Sequence, residues 1–227
     1  MANFVGNDAQ NTFILAANGI TDIAWSNDGK TIYAATTDGK VKIFDIATHS
    51  LKDTWTIGKS LGALSLSDDG KTLVAGGTTT ANAMVVFAID TSTGSPQKFR
   101  PEVAGVGDVE IVDNQHVLVA GNGSGAMLRL DLATGEFTRL EISGYNPAAS
   151  IMTEDKHLTL LGEEGISNGP LYVYDDRTGT VVANGDDYQL SSGFNNGAQA
   201  ISEASGRIYQ YIYYSGINVY DLTVKGL

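Results

Sequence analysis

The 227-residue chain contains no cysteine, only four prolines, and 14 lysines and arginines against 26 aspartates and glutamates. Without cysteine, disulfide bonds and thiolate chemistry are excluded. The formal net charge of −12 argues against nucleic acid as a partner, because most of the surface repels phosphates. No apolar run approaches the roughly 18 residues that a membrane-spanning helix needs, so we expect no membrane insertion.

The N-terminal stretch "MANFVGNDAQNTF" lacks the basic and apolar regions of a signal peptide, so we expect none in the chain as given, although the compartment stays unspecified. Sustained helical spacing of apolar residues is also missing. Short β-branched or alternating runs recur instead, separated by Asn, Asp, Ser and many of the 27 glycines. This pattern predicts an all-β protein.

A short motif, an apolar run followed by Asp, two variable residues and Thr-Gly or a variant of it, recurs along the whole chain. Its marker aspartates are Asp45, Asp90, Asp131, Asp175 and Asp221, spaced by 45, 41, 44 and 46 residues. A second motif agrees: "SNDGKTIYAA" at 26–35 matches "SDDGKTLVAG" at 67–76. A period near 45 with four short strands indicates the blade of a β-propeller.

The first repeat predicts strand A at 20–26, strand B at 31–36, strand C at 41–46 and strand D at 51–57. The Asp motif then lies at each C–D hairpin, where the carboxylate accepts hydrogen bonds from turn amides and Gly takes the left-handed position. We therefore expect the repeated aspartates to be structural.

The repeats predict one domain of five blades, at about 20–60, 61–105, 106–146, 147–198 and 199–227. The last blade has room for three strands only, and residues 2–19 contain a strand without a blade, Thr12 to Ala17. Because an open ring leaves exposed edges, we expect this N-terminal strand to complete the last blade. A fragment of a propeller with six or seven blades is the alternative.

The stretch "IAWSNDGKTIYAATTDGKVKIFDIATHS" resembles the WD40 and YVTN β-propeller repeat families, and the resemblance extends more weakly over nearly the whole chain. Phe44-Asp45 and Tyr174-Asp175 stand where WD40 repeats have Trp-Asp, and the Gly-His dipeptide of many WD40 blades is absent. The resemblance implies a platform that binds proteins or peptides, with no catalytic residues to carry over.

The fourth blade is the longest, and its loops place aromatic and amide side chains side by side. These ligand-binding candidates are Tyr145, Asn146, Phe194, Asn195 and Asn196. Such a mixture suits a peptide or a sugar, and the alternative is that the aromatic rings pack under their own loops. A lectin-like module is therefore the second functional hypothesis.

Two carboxylates near the start of strand A, Asp22 and Asp108, can face the mouth of a central channel and are further ligand-binding candidates. Paired acids at this place would suit a glycoside hydrolase, which is the third hypothesis; no catalytic motif surrounds them. A metal site formed by His116 and His157 is conceivable, but solvent-facing turn positions are the favoured interpretation of both. We expect a non-enzymatic protein without cofactor or metal.

Overall fold

A computed structural model of the chain describes residues 19–103, 105–121, 126–140, 142, 147–152, 158–163, 172–184, 199–202, 205–212 and 216–221. Within these ranges every regular element is a β-strand, and all strand pairs are antiparallel. No helix in these ranges has the length and apolar character needed to cross a membrane. The predicted all-β class is confirmed.

The first sheet consists of β1 (Ile20–Trp25), β2 (Thr31–Thr36), β3 (Lys40–Asp45) and β4 (Ser50–Thr56), paired in chain order. All four agree with the predicted strands to within one residue. Tight turns join them, and Gly29 and Gly39 take the positive φ angles of 66° and 76° that these turns require.

Four further sheets follow the same pattern. The second has β5 (Ser60–Leu66), β6 (Thr72–Thr78), β7 (Met84–Asp90) and β8 (Pro96–Phe99), and the third has β9 (Val106–Ile111), β10 (His116–Gly121), β11 (Met127–Asp131) and β12 (Phe137–Arg139). The fourth has β13 (Pro147–Met152), β14 (Leu158–Glu163), β15 (Tyr172–Asp175) and β16 (Thr180–Asn184), and the described strands of the fifth are β17 (Gln199–Ser202), β18 (Arg207–Ile212) and β19 (Gly216–Asp221).

The sheets pack face to face in chain order, with their inner strands β1, β5, β9, β13 and β17 side by side in succession. Three apolar clusters each join two neighbouring sheets. Val41 and Ile43 pack with Leu73 and Phe87 between the first and second sheets. Analogous clusters join the second sheet to the third and the third to the fourth.

Side-chain hydrogen bonds also link neighbouring sheets. The Ser65 hydroxyl accepts a bond of 3.1 Å from the Ile111 amide on the next inner strand. The Asn27 amide group donates to the carbonyl of Ser67, and the Asn114 side chain accepts from the Asp69 amide at 3.1 Å. These contacts fix the relative position of the A–B turns, which share one face of the molecule with the C–D turns.

The predicted structural role of the repeated aspartates is confirmed at the described C–D turns. Asp45 Oδ1 accepts bonds of 2.8 and 2.9 Å from the amide and hydroxyl of Thr48. These bonds hold the pKa of Asp45 below its usual value. His49, with φ of 55°, takes the left-handed position that Gly94 and Gly135 occupy in the next two sheets.

The two terminal sheets present apolar side chains to solvent. Ile23 and Trp25 are 41% and 54% exposed on the first sheet, and Ile217 and Val219 are 67% and 50% exposed on the last. Trp55, by contrast, packs against the first apolar cluster. The difference arises because Trp25 lies on the face of β1 that points away from the second sheet.

Candidate functional site

The sequence candidates fall into two groups. The loop residues Tyr145, Asn146, Phe194, Asn195 and Asn196 lie outside the described residues, so their role in ligand binding stays a prediction. His157 lies outside as well. Asp22 and Asp108 are described, on β1 and β9.

Asp22 uses both carboxylate oxygens in backbone hydrogen bonds. Its Oδ1 accepts from the Ile23 amide at 2.8 Å, and its Oδ2 accepts from the Leu64 amide of the second sheet at 2.7 Å. Asp108 repeats the local bond, from the Val109 amide at 2.9 Å. Asp22 therefore connects two inner strands, and the roles of Asp22 and Asp108 in ligand binding or catalysis stay predictions.

A groove of 420 Å³ opens between the second and third sheets, on the face formed by the A–B and C–D turns. The repeat motifs did not predict it. Its walls combine polar and apolar surface, and the polar side chains include Lys71, Asp90, Gln97, Asn114 and Gln115. Amide, ammonium and carboxylate groups side by side suit the hydrogen-bonding groups of an extended peptide.

A second feature lies at the same face, between the third and fourth sheets. This polar cluster has members from both sheets. They are Asp113 in the A–B turn of the third sheet, His116 at the start of β10, Arg129 on β11, Tyr174 on β15 and Asp176 in the C–D turn of the fourth sheet. His116 Nδ1 lies 2.7 Å from Asp113 Oδ2, and Arg129 Nη2 lies 3.6 Å from Asp176 Oδ1.

The local sequence explains why this boundary is polar. Asp176 follows the marker Asp175, at the position where the first and third repeats have Ile46 and Leu132. Leu132 packs against the apolar cluster between the second and third sheets. Asp176 thus places a carboxylate at a position that is apolar in the first and third repeats and is a threonine, Thr91, in the second.

Asp113 also departs from the repeat. In the first two sheets the A–B turn contains a serine, such as Ser26, whose hydroxyl donates to the turn aspartate. In the third sheet Val112 takes the place of this serine and has no hydroxyl to donate. Asp113 Oδ1 instead accepts a hydrogen bond from the His116 amide at 2.6 Å, and Asp113 Oδ2 contacts the His116 ring. His116 was expected to face solvent, but its side chain is only 17% exposed. Carboxylates at both ring nitrogens, those of Asp113 and Asp131, cover it.

The electrostatics of the cluster follow from burial and like charge. Burial, followed by repulsion from Asp113, raises the pKa of Asp176 to about 6. Burial acts in the same direction on Asp113, but hydrogen bonds from His116 and from turn amides outweigh it and hold the pKa of Asp113 below its usual value. Burial also raises the pKa of Tyr174 to about 12. The cluster therefore brings together carboxylates that compete for a counter-charge.

The WD40 family model (WD domain, G-beta repeat) matches residues 10–45. The β-propeller domain of Cps50 (Swd1) from Myceliophteria thermophila has a TM-score of 0.70 to this chain at 16% identity. The resemblance to WD40-type propellers is confirmed.

Two further solved structures have similar scores. The Dos1 propeller has a TM-score of 0.69 at 18% identity, and Kuenenia stuttgartiensis hydrazine synthase also has 0.69 at 18%. The matches to Cps50, Dos1 and hydrazine synthase cover 93%, 89% and 88% of this chain, but only 69%, 55% and 57% of those chains. At such identities the likeness establishes the fold alone. No curated protein matches the sequence significantly.

Proposed function

We propose that this WD40-type chain is a non-enzymatic binding or scaffolding propeller that presents its loops to a protein or peptide partner. The observation that carries the proposal is the WD40 repeat at residues 10–45 together with the propeller fold of the described sheets. Propellers of this type generally serve as protein-interaction scaffolds. The groove between the second and third sheets adds a surface suited to a peptide.

We further propose a single domain of five blades, closed by pairing of residues 12–17 with β19. The exposed apolar side chains support this closure. Val41 and Ile43 on β3 pack against the next sheet, and Ile217 and Val219 occupy the equivalent positions on β19. In a closed ring they face Ile23 and Trp25 of the first sheet, so that both apolar surfaces leave water.

Deletion of residues 2–18 tests the closure. We expect the shortened chain to have a lower urea midpoint than the full chain, and a synthetic peptide of residues 2–18 to restore it when added. An unchanged midpoint after the deletion would contradict closure while leaving the binding function open.

Affinity capture with the full chain as bait, followed by chemical cross-linking, tests the function. We expect a recovered protein to cross-link near residues 143–149 and 191–198 or at the groove. Tyr145→Ala and Phe194→Ala address the loops, Gln97→Ala addresses the groove, and Lys52→Ala on β4 is the control. A partner retained by all three site variants would contradict both surfaces.

The same loop variants separate the lectin-like alternative from the scaffold. Binding to a simple sugar on a glycan array, lost in Tyr145→Ala or Phe194→Ala, would replace the protein partner by a carbohydrate. Hydrolysis of nitrophenyl glycosides, abolished by Asp108→Asn, would identify an enzyme instead.

A further inference from the structure

The polar cluster between the third and fourth sheets contains three side chains of metal-ligating type. Asp113, His116 and Asp176 each offer one ligand atom, and these atoms all lie within 4.8 Å of one another. Two of the residues come from one sheet and the third from its neighbour, so the site is complete only where the two sheets meet.

Unpartnered polar atoms are concentrated at the same place. Among the described residues, four buried side-chain atoms have no hydrogen-bond partner: Arg129 Nε, Thr159 Oγ1, Tyr174 OH and Asp176 Oδ1. Three of these belong to the cluster. The Tyr174 side chain is fully buried and interacts electrostatically with Arg129, Asp176 and Asp113, which places its hydroxyl at the cluster. Buried polar atoms without partners are rare in native proteins, so they mark a place where a water or an ion can bind.

The charges at the cluster indicate the sign of a group that would fit there. Asp113 and Asp131 contact the His116 ring, and Arg129 contacts Asp176 at 3.6 Å. Three carboxylates therefore face one guanidinium and one imidazole in a half-buried site, and buried charges need a counter-charge or a metal. A divalent cation supplies a counter-charge and a ligand contact for Asp176 Oδ1, which has no hydrogen bond.

We propose that Asp113, His116 and Asp176 bind a divalent cation of the zinc type at the boundary between the third and fourth sheets. One imidazole nitrogen and two carboxylate oxygens form a borderline ligand set that suits Zn²⁺, whose sites often combine three protein ligands with one open position. Backbone amides of the A–B turn already hold Asp113 in place. The ion thus joins the C–D turn of one blade to the A–B turn of the preceding one, and this role is independent of the partner proposed above.

Zinc titration of the full chain after treatment with EDTA tests the proposal. We expect isothermal calorimetry to show one strong Zn²⁺ site, with affinity at least tenfold lower in Asp176→Asn and in His116→Gln. His49→Gln and Asp28→Asn are matched controls, since they remove a histidine from an exposed turn and an aspartate from the equivalent A–B turn of the first sheet. Equal loss in the controls would show that the ion is held by the general negative charge, and would overturn the proposal.

A spectroscopic measurement on the unmodified protein keeps the test decisive if a variant fails to fold. On addition of one equivalent of Zn²⁺, we expect the ring protons of His116 to shift in the NMR spectrum while those of His49 stay unchanged. Replacement by Co²⁺ should produce visible d–d absorption bands. An unmoved His116 signal, or the absence of any 1:1 binding, would refute the site.

Discussion

Replacement of Asp22 by alanine should lower the stability of the protein by about 2 kcal/mol. The Leu64 amide donates to Asp22 Oδ2 across the boundary between the first and second sheets, and Leu64 is only 6% exposed. In the variant this buried amide has no acceptor, which costs about 1–3 kcal/mol. The bond from the Ile23 amide adds little, because Ile23 is exposed and water can replace the carboxylate.

Equilibrium unfolding in urea measures the effect. For an m-value of about 2 kcal/mol/M, the midpoint should fall by roughly 1 M with little change in m. Asp53→Ala is the matched control: Asp53 makes the same local bond, to the Thr54 amide at 2.7 Å, and a further local bond to Trp55. Being exposed and confined to β4, Asp53 should contribute less than about 0.5 kcal/mol.

Asp22→Asn refines this test. An asparagine side chain has one acceptor oxygen, whereas Asp22 uses two, so the variant must lose one bond and should be intermediate in stability. A loss in Asp22→Ala no larger than in Asp53→Ala would refute the inter-sheet role. Normal stability combined with lost hydrolytic activity in Asp22→Asn would instead support the channel-carboxylate hypothesis.

Three further predictions concern the turns. Gly94→Ala should destabilise the protein by about 2 kcal/mol more than Gly29→Ala. Both glycines have positive φ, but a Cβ at Gly94 would lie 2.6 Å from the Trp55 ring, whereas a Cβ at Gly29 would have no atom within 4 Å. Urea unfolding followed by tryptophan fluorescence measures the difference, and equal losses would contradict it. His49→Gly should stabilise by up to about 1 kcal/mol, because φ of 55° is strained for a residue with a Cβ; a lower thermal midpoint would contradict this. Asp45→Asn should destabilise the protein at pH 7. Because the pKa of Asp45 is lowered in the folded state, the carboxylate's contribution to stability is fully present above pH 3.8 and is lost as the pH falls through the folded-state pKa. A stability difference from the unmodified chain that persists unchanged at pH 2 would contradict this role of the carboxylate.

The strands and turns could be predicted because each depends on local sequence. Asp-Gly pairs between β-branched runs specify hairpins by backbone conformation alone, and the Asp45 motif satisfies its own turn amides. The length of the last repeat, from residue 199 onward, also predicted three strands, and β17, β18 and β19 are described there. Neighbouring residues decide all of these features, so one repeat predicts the next.

The polar cluster could not be predicted in the same way. Asp113 and Asp176 are far apart in the sequence, and only the packing of the third sheet on the fourth brings them together. A signal was nevertheless present: Asp176 is a charged residue at a position that holds Ile46, Thr91 and Leu132 in the first three repeats, and Val112 replaces the serine of the A–B turn. Comparing repeats for such departures, instead of searching for paired histidines, would have located the cluster.

The three clusters that span two sheets are larger than the small cluster within the first sheet, so a single blade has little interior of its own. Excised alone, such a unit should remain an unstructured peptide, and the smallest autonomous fragment should be a tandem pair. Cooperativity then passes between adjacent blades, as in linear repeat arrays. The junction between the third and fourth blades combines the polar cluster with its apolar contacts, and we expect hydrogen exchange to reveal opening there before the two preceding junctions.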